Sequence, residues 1–204
     1  MRLVRVLVPL AAGSVLAACS TTGSPVGVSS SQSMPTSAKV GIRQADDYGR
    51  PLPFETKFPN RWSINNDGTR YEPCTAPSPA LLNRFGLDPA SAGDVAASDF
   101  QTARGCRWRF VDERRSSLAQ QVGNLVDPSE GLAGYKRLNT SGATWYPDFK
   151  IEGRTVVMSS LFPGECGVVV QSGSAVVVTS ALRFGVNRPS QEDICMTASE
   201  FLRA

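Results

Sequence analysis

Gly167-Val168-Val169-Val170 and Ala175-Val176-Val177-Val178-Thr179, with Ser172-Gly173 between them, form the stretch that decides the fold. β-Branched side chains are stiff at χ1 and pack well on a pleated surface, so both runs read as strands. The short Ser-Gly connection reads as a hairpin turn. Neither run alternates with polar residues, which predicts strands covered on both faces.

Working outward, Arg154 to Leu161 reads as a further strand. Beyond the hairpin, Pro189 and then Ser190 with Asp193 form a capping-box-like start. Ile194, Cys195, Ala198, Phe201 and Leu202 follow at helical spacing. Upstream, Cys106-Arg107-Trp108-Arg109-Phe110 alternates strictly, with the arginines facing water. A turn at Asp112 to Arg115 leads to a strand with Leu118, Val122 and Val126 in phase. Asp127-Pro128 opens a short helix with Leu132 and Tyr135 on one face. Before these, Ser78 caps a helix with Pro79 first, Leu81, Leu82 and Phe85 on one face and Gly86 as terminator. Asp88 to Arg104 reads as loop. The order predicts an α+β domain: an antiparallel sheet of about five to six strands, with N- and C-terminal helices packed on it and two disulfides.

Residues 40–72 read as an extended arm on a core spanning 73–204, together one globular domain. Pro51, Pro53 and Pro59 break any helix there, and Phe54, Phe58, Trp62 and Ile64 supply apolar anchors. A first strand is expected near Trp62 to Ile64, and Asn65-Asn66-Asp67-Gly68 is a turn signal.

The N-terminus says where the chain works. Arg2 and Arg5 precede an apolar run through Leu7, Val8, Leu10, Ala11, Ala12, Val15 and Leu16, ending in Leu16-Ala17-Ala18-Cys19. This reads as a lipoprotein signal over residues 1–18, with a lipid on the Cys19 thiol. The run is shorter than the ~20 residues that span a bilayer. The alternative is ordinary secretion with Cys19 incidental. Residues 19–39, mostly Ser, Thr, Gly and Pro, read as a disordered tether. Together these place the domain at the extracytoplasmic face of the cell membrane. The formal charge of +3 falls to near +1 once Arg2 and Arg5 leave. Nucleic-acid binding, which needs a clustered basic footprint, is therefore not expected.

Cys74, Cys106, Cys166 and Cys195 remain, an even set that reads as two disulfides in an oxidising compartment. Three pairings exist. Cys74–Cys106 and Cys166–Cys195 are favoured because each closes a loop of about thirty residues, worth roughly 3–4 kcal/mol. The alternative is four reduced buried thiols. With no C-x-x-C pair and no histidine, zinc fits poorly.

The chemistry is defined mostly by exclusion. No histidine exists, so Ser-His-Asp and Cys-His catalysis are ruled out. No G-x-S-x-G elbow, P-loop or dinucleotide fingerprint is present. The pairs Asp46-Asp47, Asp112-Glu113 and Glu192-Asp193 sit in turns or helix starts, where solvated or capping roles outweigh acid–base work. Arg104, Arg107, Arg109, Arg114 and Arg115 could face anionic phosphates, but Asp112 and Glu113 among them favour a salt-bridged solvent face. Trp145-Tyr146 could line a groove or close the core, with core favoured.

The pattern Glu72-Pro73-Cys74, helix, Gly105-Cys106-Arg107-Trp108, Cys166-Gly167-Val168-Val169-Val170, and Cys195 opening a terminal helix carries a resemblance. It resembles the actinobacterial cell-envelope lipoproteins bearing the domain of unknown function DUF3558. The likeness covers roughly Phe54 to Leu202, besides the lipobox. It implies an exported lipoprotein without an assigned activity and brings no catalytic residues. The architecture is also similar to small α/β/α sandwich domains of the PsbP and Mog type. The expectation is a non-catalytic binding or adaptor module, held by its lipid and engaging an envelope protein, lipid or glycan without cofactor or metal. The alternative is an envelope glycan hydrolase working through carboxylates.

Overall fold

The structure is a computed structural model that describes residues 41–204. The signal segment, Cys19 and the tether lie outside the described residues. The helices are α1 (Pro79–Arg84), α2 (Gly131–Leu138) and α3 (Gln191–Arg203). The strands are β1 (Gly93–Asp94), β2 (Arg104–Arg109), β3 (Ser117–Asn124), β4 (Thr144–Trp145), β5 (Phe149–Ile151), β6 (Arg154–Ser160), β7 (Glu165–Ser172) and β8 (Ala175–Leu182). All eight form one antiparallel sheet in the order β1-β2-β3-β8-β7-β6, with β4 and β5 both paired to the outer edge of β6.

The valine-rich hairpin is the middle of that sheet. Ser172 pairs with Ala175, so the two turn residues are Gly173-Ser174, one position later than expected. Gly173 holds φ at 62°, and a Cβ there would lie 2.4 Å from the Gly68 carbonyl oxygen. The turn therefore needs glycine both for its backbone and for the arm that crosses it.

Strand alternation sorts the valines onto two faces. Val168, Val170 and Val177 join Trp108, Leu118, Val122 and Val156 in the main core, beneath α3 and Leu82 of α1. Val157, Val169 and Val176 face the other way, against Leu132 and Tyr135 of α2. Coverage on both faces explains the unbroken valine runs.

Several details depart from expectation. The sheet has eight strands, not five to six. The long strands number five, and the other three span only two or three residues, too short to show a period. Asp88 to Arg104 is not all loop: it contains a 3₁₀ turn at Pro89–Ser91 and then β1. No strand forms at Trp62 to Ile64. Pro59 starts a 3₁₀ turn, Asn66 Oδ1 accepts from Ser63 N at 3.1 Å, and Ile64 is left exposed. Helix α2 begins at Gly131 because the Asp127 carboxylate turns back onto Ser129 N and Oγ. Val126 lies beyond β3 and is exposed.

One disulfide is present, Cys166–Cys195, tying α3 to β7. The expected Cys74–Cys106 bridge is absent, and both thiols are free and buried. The Cys74 thiol donates instead to the Gly105 carbonyl at 3.1 Å and accepts from Arg61 Nη2 at 3.2 Å. Burial, followed by the Cys106 side chain alongside, pushes it well above the usual thiol range.

The arm is held by buried charge. Arg61, wholly buried, donates from Nη2 to Glu72 Oε1 at 2.7 Å, and its Nε lies 3.4 Å from Asp94 Oδ2 on β1. Arg104 at the start of β2, also buried, donates to the Thr69 and Tyr71 carbonyls. Asp46 ties the arm to the turn before α1 by accepting from Thr75 Oγ1 at 2.6 Å.

Removing Glu72 as Glu72→Gln leaves Arg61 and Arg104 buried with less opposing charge. Urea unfolding is expected to read a loss of about 3–5 kcal/mol. Asp46 supplies a pH signature. Burial acts to raise its pKa, but the hydrogen bonds from Thr75, Arg50 and Tyr48 outweigh that and hold it well below the usual carboxylate range. The unfolded chain titrates near ~3.9, so it binds more protons in this window than the native state does. Stability from Asp46 is thus complete above about pH 5 and drains away as pH falls through the native pKa. Acid titration of Asp46→Asn should show a flatter stability profile there than the parent.

Candidate functional site

Helix α3 turns one flank toward the outer strands. Gln191, Glu192, Cys195, Met196 and Ser199 recur at three- and four-residue spacing, so they share that flank. Opposite stand Tyr146, Phe149 and Met158, from the β4–β5 link, β5 and β6. Between them runs a groove of about 550 Å³. Tyr146 is set by its backbone N–H donating to the Met158 carbonyl at 2.9 Å, and Phe149 by pairing with Val156. The Cys166–Cys195 bridge fixes the helix wall against the sheet.

The lining is apolar and soft. Met158 is half-buried and Met196 is 50% exposed, and thioethers on flexible stems adapt to irregular partners. The polar groups are mostly engaged. Gln191 Nε2 donates to the Glu165 carbonyl at 2.7 Å, and its Oε1 accepts from Gly164 N at 3.0 Å. Ser199 Oγ donates to the Cys195 carbonyl. Glu192 is the one ionisable residue in the lining, apart from Tyr146. Such a groove can hold an apolar chain or ring by burial, and it has no nucleophile–base pair to act on what it holds.

The other sequence candidates fall elsewhere. Trp145 and Tyr146 are adjacent and therefore face opposite ways: Tyr146 enters the groove, while Trp145 meets Tyr135 edge-on at 6.5 Å in the α2 layer. Among the paired carboxylates, Asp46 is buried in hydrogen bonds and Asp47 pairs with Arg43. Asp112 pairs with Arg183. Glu113 is drawn down to about 2 by hydrogen bonds from the Arg115 side chain and backbone. Asp193 closes the α3 capping box. The five arginines do not form one group. Arg104 is buried under the arm, whereas Arg107, Arg109, Arg114 and Arg115 are exposed. Among the described residues, no cluster of three or more His, Cys, Asp or Glu is placed to hold a metal. No helix there is long and apolar enough to cross a membrane.

Sequence pattern alone did not mark this groove. Met158 falls in the strand read over Arg154 to Leu161 and Met196 in the terminal helix, but only the fold brings them together. The buried Arg61–Glu72 pair was missed as well, because both residues lie in the proline-rich arm, where charge reads as solvated.

The sequence matches, over residues 14–204, the family model described as "Protein of unknown function (DUF3558)". No curated protein matches it. Among solved structures, the solution structure of cyanobacterial PsbP (CyanoP) from Synechocystis sp. PCC 6803 is similar. That likeness covers 58% of this chain and 82% of that one at 7% identity, with a TM-score of 0.31.

The groove depends on α3 staying seated. Replacing both bridge residues, Cys166→Ala with Cys195→Ala, is expected to cost about 2–5 kcal/mol by urea unfolding. Adding reductant should shift the parent's midpoint toward that of the double variant.

Proposed function

The chain belongs to the DUF3558 family, and we propose that it is a membrane-anchored exported binding module of the cell envelope. Its groove between α3 and β5–β6 takes an apolar ligand or an apolar segment of an envelope partner. The observation that carries this reading is the groove's lining: two aromatic rings and two methionines over a disulfide-fixed wall, with one carboxylate beside them. A lipid on Cys19 and the tether behind it keep the domain near membrane partners, where a high effective concentration makes even weak contacts productive. The Cys166–Cys195 bridge supports an oxidising compartment. The carboxylates favour binding over glycan hydrolysis. Asp46, Asp112, Glu113 and Asp193 are all committed to caps, turns or ion pairs.

Titration with a fluorescent fatty acid, cis-parinaric acid, tests the groove. The expected result is saturable binding at one site. Phe149→Asp and Met158→Asp should each weaken it about tenfold or more, since burying such a side chain is worth about 1.5–3 kcal/mol. Equal binding by parent and variants overturns the groove reading. Mass spectrometry of the membrane fraction checks the anchor separately, with an acylated N-terminal Cys19 peptide as the expected product.

A further inference from the structure

On the side of the sheet that α2 occupies, cover is uneven. Leu132 and Tyr135 of α2 lie against Val157, Val169 and Val176. Toward β3 the cover ends: Gln121 is exposed, and its partner Val178 on β8 is half-buried. A groove of about 530 Å³ lies there, between Tyr135 and the β1–β2 loop carrying Phe100 and Gln101. That volume falls within the ~300–1,000 Å³ of small-molecule sites. The loop wall is set in place by the arm. Asn60 Nδ2 donates to the Asp99 carbonyl and Asn66 Nδ2 to the Thr102 carbonyl, while Gln101 Oε1 accepts from Ala97 N.

No carboxylate, lysine or arginine lines this groove, although charged residues make up 19% of the chain. Phe100 is 93% exposed, so one wall is a bare phenyl ring. Free amides and a hydroxyl surround it. The side chains of Asn65 and Gln121, the Gln101 Nε2 and the Tyr135 hydroxyl make no hydrogen bond among the described residues. Burial, followed by Glu165, raises the Tyr135 pKa, so this hydroxyl keeps its proton at neutral pH and can donate.

Gly123 of β3 lies in the same lining, and nothing within the domain explains it. Glycine inside a strand weakens it, and it marks a bulge or a close approach by a ligand or another backbone. The β3–β8 register runs unbroken from Ser117 to Asn124, so there is no bulge. Its φ is not positive, and a Cβ there would meet nothing within 4 Å. The missing side chain leaves open space in the groove.

We propose that this groove binds a neutral carbohydrate, a sugar ring lying over Gly123 with its C–H face toward Phe100. Sugar hydroxyls both donate and accept, as do the amides of Asn65 and Gln121, and Gln101 Nε2 adds a donor. A lipid chain fits worse, because covering these free amides with hydrocarbon leaves them unpaired. A peptide added as a strand also fits worse, since β3 is already paired on both sides, to β2 and β8. The α3 groove lies on the opposite face of the sheet, so the two sites are independent.

Saturation-transfer NMR on the full chain carrying Cys19→Ser tests the site with neutral hexasaccharides of glucose, mannose and N-acetylglucosamine. Saturable binding of at least one is expected. The matching monosaccharides, run in parallel, tell a free sugar from a segment of a longer glycan, and either meets the proposal. Phe100→Ala and Gln121→Ala should each weaken binding about fivefold. Gly123→Ile should abolish it while raising the urea midpoint, because a β-branched residue suits a strand. Binding of cis-parinaric acid should be unchanged in all three variants. The absence of any saturable saccharide signal overturns the proposal, as does equal affinity in parent and variants. A signal only from a neutral synthetic peptide of residues 20–35 overturns it too. These outcomes leave Cys19 acylation and the α3 groove untouched, since the saccharide assay reads neither.

Discussion

The contact on which the rest of the domain depends is the buried Arg61 guanidinium. It reaches Glu72 within the arm, Asp94 on β1, the Gly105 carbonyl on β2 and the Cys74 thiol before α1. One side chain thus joins three separate stretches of chain, Glu72 to Cys74, Asp94 on β1 and Gly105 on β2. Two charges taken out of water are costly, and the geometry must repay that cost through hydrogen bonds on nearly every polar atom. Here Glu72 also accepts from Cys74 N, and Asp94 also accepts from Thr56 Oγ1. The network is not complete, since the Arg61 and Arg104 Nε atoms are buried without a hydrogen-bond acceptor. It also accounts for the unbridged Cys74, whose sulfur is oriented by Arg61 and Gly105.

The opposite edge of the sheet is built by different means. Three residues of β5 and two of β4 share the outer side of β6, neither long enough to stand alone. The β5–β6 connection, Glu152-Gly153, holds both residues at positive φ, the backbone of a tight hairpin turn. That edge leaves Tyr146, Phe149 and Met158 incompletely covered, and α3, fixed by its disulfide, stands across from them. The groove is therefore the gap between a short-stranded edge and a stapled helix. The arm network and the helix staple rigidify opposite sides of the domain, while the loop tips between them remain exposed.

These features give separate regions different surfaces. The α3 flank is apolar and concave, suited to holding a chain or ring. The loop end projects exposed Val111, Leu161, Phe162, Phe184 and Val186 among charges of both signs.

Much of the fold was legible locally. The valine runs, the Cys106-to-Phe110 alternation and the Ser78 and Ser190 caps follow from short-range rules: period-two patterning and orphan N–H groups at helix starts. The sequence by itself determined five long strands, three helices and an α+β class. Only the tertiary structure decided the rest. It set the three short edge strands, which are too brief to carry a period and form because β6 and β2 offer open edges. It turned Trp145 and Tyr146 to opposite faces, and it buried Arg61 and Glu72 of the arm together with Arg104 at the start of β2. It also left Cys74 and Cys106 unbridged, since thiol direction is fixed by neighbours distant in sequence. Burial, pairing and groove formation are properties of what comes together across the chain, and residue order constrains them only through the completed fold.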